Sequence, residues 1–143
     1  MNKEEHEWEI MDIYSRKDAL ADGVQIEANP KTRKEAGIKY PVFLTRNVYD
    51  KYVVVPKGFE GLYDEDTRLW DIFTMLKYYI SIKSCEDFLE FTVHTLVPHN
   101  LDLAPNEKRT GRDSRIITLH STIGPMDFDD PQPAITIMIP GED

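Results

Sequence analysis

The chain has 143 residues, 26 acidic against 17 basic side chains for a formal net charge of −9, and hydrophobic and aromatic fractions of 41% and 10%. That is apolar material for one core, so a single domain over residues 13–143 is expected behind a charged, frayed segment 1–12 in which Trp8 is the strong anchor. The acidic excess argues against direct nucleic-acid binding, which needs clustered Lys and Arg, and suits either a basic protein partner or plain solubility.

No stretch approaches the roughly 18–20 apolar residues of a bilayer span. The opening MNKEEHEWEI lacks the apolar run of a signal peptide, and the one cysteine, Cys85, has no disulfide partner in the chain. The expectation is a cytoplasmic protein, with no membrane association and with Cys85 as a small buried hydrophobe.

In chain order, ordered structure is expected from Ile13. Ser15 and Asp18 have the spacing of a capping box, which opens a short helix that Gly23 closes, and Val24–Glu27 reads as a strand. Asn29-Pro30 starts a second helix, ended by Gly37. Pro41–Leu44 is a short apolar run, and Thr45 caps a third helix carrying Val48, Tyr49 and Tyr52 before a loop at Pro56–Gly61. Asp64–Lys83 is the clearest element, a long amphipathic helix. Leu69, Ile72, Phe73, Leu76 and Ile80 share one face, Asp64 is the N-cap, and Glu65 and Asp66 sit in the first turn.

After residue 83 the period changes to two. Leu89, Phe91 and Val93 alternate with Glu90, Thr92 and His94; Ile117, Leu119 and Ile123 with Thr118, His120 and Thr122; Ile135, Ile137 and Ile139 with Thr136 and Met138. The fold class expected is α+β: an antiparallel sheet, made of this three-stranded meander plus short N-terminal strands, packed against the long helix and two or three short ones. Residues 98–114 read as a long polar loop and 124–133 as an acidic turn.

The runs Ile13–Val24, Tyr40–Arg46, Arg68–Asp71 and Ile135–Pro140 resemble, in that order, a family of small bacterial proteins of unknown function found on plasmids, phages and other mobile elements. Arg46, Trp70 and Asp71 match its pattern. The resemblance implies a context, a small accessory protein concerned with evading or supporting host defence, and carries over no catalytic residue.

Several clusters invite a chemical role. Glu90, His94 and His120 on the outward sheet face are candidates for acid–base or metal chemistry if the strand register brings them together; otherwise they belong to a polar face. Asp127, Asp129 and Asp130, with Asp64, Glu65, Asp66 and the terminal Glu142 and Asp143, are solvated acids or one negative surface imitating nucleic-acid phosphates. The acidic turn lacks the D-x-D-x-D-G run of a calcium loop. Trp70 is either a core-edge residue or a recognition aromatic, and Arg109 and Arg112 either belong to a solvated loop or contact a phosphate or carboxylate. The chain contains no G-x-G-x-x-G, P-loop or G-x-S-x-G motif.

The reading these features favour is a partner-binding protein: a mobile-element accessory protein that inhibits a host-defence component through an acidic surface. It calls for no cofactor and no metal. The alternatives are a small enzyme or nucleotide- or metal-binding protein using His94 and His120, and a structural protein whose exposed Trp or Tyr makes oligomer contacts. Oligomeric state does not follow from the sequence.

Overall fold

The computed structural model describes residues 14–83 and 87–142. The expectations about Trp8, Ile13, Cys85 and Asp143 lie outside the described residues.

Local chemistry starts each helix. Ser15 Oγ accepts from the Asp18 amide at 3.0 Å and Asp18 Oδ2 accepts from the Ser15 amide at 3.3 Å, the reciprocal box that opens α1 (Arg16–Ala21). Gly23, at φ 76°, turns the chain into β1 (Gln25–Glu27). Asn29 Oδ1 accepts from the Lys31 amide at 3.0 Å to start α2 (Pro30–Glu35), with Pro30 at its first position, and Gly37 follows it at φ 88°. β2 (Val42–Thr45) leads to α3 (Arg46–Val48), capped by the Thr45 hydroxyl, which widens at once into a π-helical turn, Tyr49–Val53. Asp64 Oδ1 accepts from the Thr67 amide at 2.7 Å and opens α4 (Glu65–Ile82). The remaining elements are β3 (Phe88–Leu96), β4 (Glu107–Arg109), β5 (Ser114–Asp127) and β6 (Asp130–Met138).

The fold is α+β: one six-stranded, mostly antiparallel sheet in the order β1-β2-β6-β5-β3, with β4 beside the first half of β5. The meander β3–β5–β6 is antiparallel, with registers from Phe88↔Thr122 to Leu96↔Ser114 and from His120↔Met138 to Asp127↔Asp130. β2, however, joins β6 in parallel, Val42 opposite Ile135 and Leu44 opposite Ile137, so the sheet is not purely antiparallel. Alternation could not reveal this pairing. Val42, Phe43 and Leu44, like Ala134–Met138, are buried in succession on both faces, and such runs carry no face signal.

α4 lies across one face of the sheet. Leu69, Ile72, Phe73 and Leu76 are each at most 4% exposed and share a core with Leu89, Phe91, Val93, Ile117, Leu119, Ile135 and Ile137. Each such side chain contributes about 1.5–3 kcal/mol by leaving water. On the other face the Arg16 guanidinium stacks 4.2 Å from the Phe43 ring centroid.

Two connections differ from expectation. The acidic turn shrinks to Phe128-Asp129, because residues 124–127 and 130–133 pair as strand despite Gly124, Pro125 and Pro133; a register shift between Pro125 and Asp127 absorbs the irregularity. The 98–114 segment is not an open loop either. Its middle forms β4, and its remainder is held by side chains from the sheet.

Candidate functional site

The 98–113 segment is fixed by a buried ion pair that the period-two reading passed over. Arg115 is in phase with Ile117 and Leu119 on the inward face of β5 and is 1% exposed. A charge there needs partners. Its Nη1 donates to Glu107 Oε1 at 2.6 Å and the Asp102 carbonyl at 3.0 Å, and its Nη2 donates to the carbonyls of Leu101 at 2.6 Å and Pro98 at 3.3 Å. Glu107 also accepts from the Ala104 amide and the Tyr52 hydroxyl, and Asn106 Nδ2 bridges from Tyr52 to the Thr118 carbonyl. Burial alone would raise the Glu107 carboxyl; the bonds from Tyr52, Ala104 and Arg115, with the Arg115 charge, outweigh it and hold the group below its usual range. The Tyr52 hydroxyl is pushed up, first by burial and then by its bond to Glu107, so it stays a donor. The in-phase Arg at 115 was the available signal, and the same argument covers Arg68. That residue, in the first turns of α4, is 2% exposed and donates to the carbonyls of Leu96 and Lys51.

Two hollows adjoin this network. One, of about 550 Å³, lies between the segment after the π-helical turn and the 97–102 segment, with Val54, Val55, Val97 and Leu101 as apolar walls and Tyr52, Glu107 and Arg115 at its base. The second, of about 530 Å³, shares Pro56, Lys57, Pro98 and Leu101 with the first and adds Phe59, His99, Asn100, Arg112 and Asp113. His99 presents both its amide and Nδ1 to Asp113 Oδ1, each at 2.9 Å, and these bonds lower the Asp113 carboxyl. Arg109 and Arg112 both come to His99, Arg109 Nη1 at 3.4 Å from its carbonyl and Arg112 Nη2 at 3.4 Å from its Nε2. The basic pair of the sequence is thus drawn together around a histidine that sequence reasoning did not single out. Asp113 is fourteen residues from His99, which no local motif connects.

A third hollow, of about 430 Å³, lies between α2 and the start of α4 and gathers Asp64, Asp66 and Trp70 with Asn29, Lys31, Thr32, Glu35 and Thr67. Trp70 is 40% exposed on its rim. Asp64 Oδ1 is spent on the Thr67 amide, which lowers its carboxyl, and Asp66 Oδ1 on the Thr32 hydroxyl at 3.2 Å. Glu65 faces elsewhere and accepts from the Tyr49 hydroxyl, a bond that raises that phenol to about 12.

The other acids do not join this group. Arg68 ties the start of α4 to Leu96, at the Ser114 end of β5, whereas Asp127 lies at the far end of that fourteen-residue strand, about 40 Å of extended chain away. Asp127 accepts from the Arg16 and Lys17 amides at 3.2 and 3.0 Å, so it is a cap for α1, its carboxyl lowered chiefly by the Lys17 bond. Asp130 accepts from the Gln132 amide and Asp129 is exposed in the hairpin turn. Glu142 is engaged by Thr45, Asn47 and the Ile139 amide. Among the described residues, the acids expected to form one phosphate-like surface are therefore not gathered in one place.

The two histidines of the outward sheet face are also apart. Glu90 pairs with His120, Oε2 to Nε2 at 2.9 Å, and His120 rests edge-on against Phe88. His94 lies opposite Ile116, four residues along the strand and so about 13 Å away, and its Nε2 meets the Thr110 hydroxyl at 2.8 Å. They cannot share one ion or one substrate atom. Among the described residues no group of three or more His, Cys, Asp and Glu is arranged for a metal. Of the resembling positions, Arg46 clips the Gly23 carbonyl at 2.8 Å and pairs with Asp50 at 3.5 Å, a packing role.

These features define a small α+β protein with, among the described residues, one long helix on a mixed sheet and clefts at the loops around residues 50–60 and 98–113. The chain belongs to a family of unknown function (DUF6573), whose model matches residues 1–143. No curated protein and no solved structure matches it. Among the described residues no helix is long and apolar enough to cross a membrane.

Proposed function

We propose that the protein acts by binding a protein partner, and that the hollow between α2 and α4 receives a basic side chain of that partner. The observation that carries this reading is the exposed Trp70 indole on the rim of a concavity holding Glu35, Asp64 and Asp66. A Lys or Arg head over the indole gains cation–π attraction of about 0.5–2 kcal/mol. The carboxylates of Asp64 and Asp66, engaged by Thr67 and by the Thr32 hydroxyl, flank it. Lys31 is the one cation in the wall and sets a limit on ligand charge. The net charge of −9 favours encounter with a basic surface at low salt.

The mobile-element setting that the resemblance implies supplies the class of partner, a host-defence protein, and the outcome, its inhibition. The test is fluorescence titration in a Trp8→Phe background with Lys- and Arg-containing peptides against Glu-containing ones. Quenching of Trp70 by basic peptides alone, lost in Asp66→Asn/Glu35→Gln and at high salt, is the expected result. Binding indifferent to salt and to these substitutions refutes the proposal. The inhibitory role is tested separately, by purified defence enzymes assayed with wild type and Trp70→Ala; equal activity with both removes it.

A further inference from the structure

We propose a second, small-molecule site: the hollow of about 530 Å³ between residues 56–59 and 98–101 binds a small organic anion, its apolar body against Phe59 and Leu101 and its charged group on Arg112 and Lys57. The hollow shares no lining residue with the one at Trp70, so the two sites are independent.

Volume, charge and preorganisation all point the same way. The space lies within the range of about 300–1,000 Å³ of small-molecule sites, and apolar walls with a few polar groups are their usual lining. On a chain of net charge −9, this wall carries two fixed cations, Lys57 and Arg112, against one carboxylate, Asp113. That carboxylate is already engaged twice by His99. Arg112 is the uncommitted group: its side chain is 77% exposed, 3.9 Å from Asp113 and 3.4 Å from His99 Nε2, so most of its donors are left for a ligand. Arg109, holding the His99 carbonyl, adds a third positive charge beside it.

The wall is also rigid for a reason that stability alone does not supply. Replacing a buried ion pair by apolar side chains is often neutral or stabilising, so such a pair is a poor way to gain stability. Here the Arg of the ion pair whose two side chains are 1% and 4% exposed is spent on the carbonyls of Pro98 and Leu101, which line the hollow, and of Asp102 next to them. Holding that backbone before a ligand arrives removes its ordering cost from binding.

The experiment is an amide chemical-shift titration of the full chain with phenyl phosphate and with benzoate, using inorganic phosphate and phenol as controls. The expected result is saturable shifts confined to residues 56–59, 98–101 and 112–113 with at least one aromatic anion. Affinity should exceed that for inorganic phosphate and fall about tenfold in Arg112→Glu and in Lys57→Glu. The tighter of the two aromatic anions identifies the charged group. Arg112 is exposed, so its substitution leaves the fold intact, which a melting curve checks. Three results overturn the proposal: no saturable shift with either aromatic anion, inorganic phosphate binding as tightly as phenyl phosphate, or binding unchanged in both variants.

Discussion

Replacing Arg115 by Met keeps an unbranched apolar stem while deleting the guanidinium and its bonds to Glu107, Asp102, Pro98 and Leu101. The Glu107 carboxylate then stays in a site where its side chain is 4% exposed, with only Tyr52 and Ala104 as donors. Removing one half of a buried pair costs about 3–5 kcal/mol. A domain of this size has about 5–15 kcal/mol in total, so the urea midpoint should fall by about 2 M. The loss depends on pH, and its sign is fixed. In the native protein Glu107 is depressed below its usual range, so its contribution is present above the unfolded pKa, about 4.3, and is lost as pH falls through the folded value. Without the bond and charge of Arg115 the carboxyl is held down less than in wild type, so it contributes less at pH 7, and the difference fades as acid protonates the group. The gap between wild type and Arg115→Met is therefore widest near neutrality and narrows in acid. Adding Glu107→Gln to the Met variant should recover about 1–2 kcal/mol. Urea unfolding followed by tryptophan fluorescence across this pH range is the assay. A loss below about 1 kcal/mol, or one of equal size at all pH values, would refute the account of the network.

Other substitutions test the remaining elements. Phe73→Ala, at a fully buried position of α4, should cost about 3–5 kcal/mol in the same assay. Gly37→Ala meets φ 88° and the Lys77 side chain and should cost about 1–2 kcal/mol, most of it from the backbone because the Lys77 tip can move aside. Asp127→Ala removes the cap on the Arg16 and Lys17 amides. Since that carboxyl is depressed, its contribution exists above the unfolded Asp pKa and disappears in acid, so the variant should lose stability at pH 7 and converge on wild type as pH falls through the native value. Trp70→Ala should leave the melting temperature within a few degrees of wild type, about 1 kcal/mol, while abolishing the binding of basic peptides measured by titration calorimetry.

The candidate sites were legible in unequal measure. Asp64, Asp66 and Trp70 were readable as neighbours because a helix places them within two turns, and the structure adds Glu35 from α2 to the same hollow. Arg109 and Arg112 were visible as a basic pair, but His99, which they surround, and Asp113, which orients it, come together only when the 98–113 segment folds back on itself. His94 and His120 show the opposite case. Each was sensibly placed on the outward face, and only the register Glu90↔His120 reveals that they stand four residues apart.

What the sequence determined by itself is local. Ser15, Asn29, Thr45 and Asp64 each offer an oxygen to an amide within three residues, Gly23 and Gly37 accept the backbone turn that follows a helix, and the spacing of Leu69, Ile72, Phe73 and Leu76 fixes which side of α4 meets the sheet. What only the tertiary structure decided is every partnership between distant residues. The parallel pairing of β2 with β6, the split of the acids between two ends of β5, and the burial of Arg115 against Glu107 all depend on strand order and register. Periodicity cannot specify these, because an alternating strand presents the same face to any neighbour and at any two-residue shift along it.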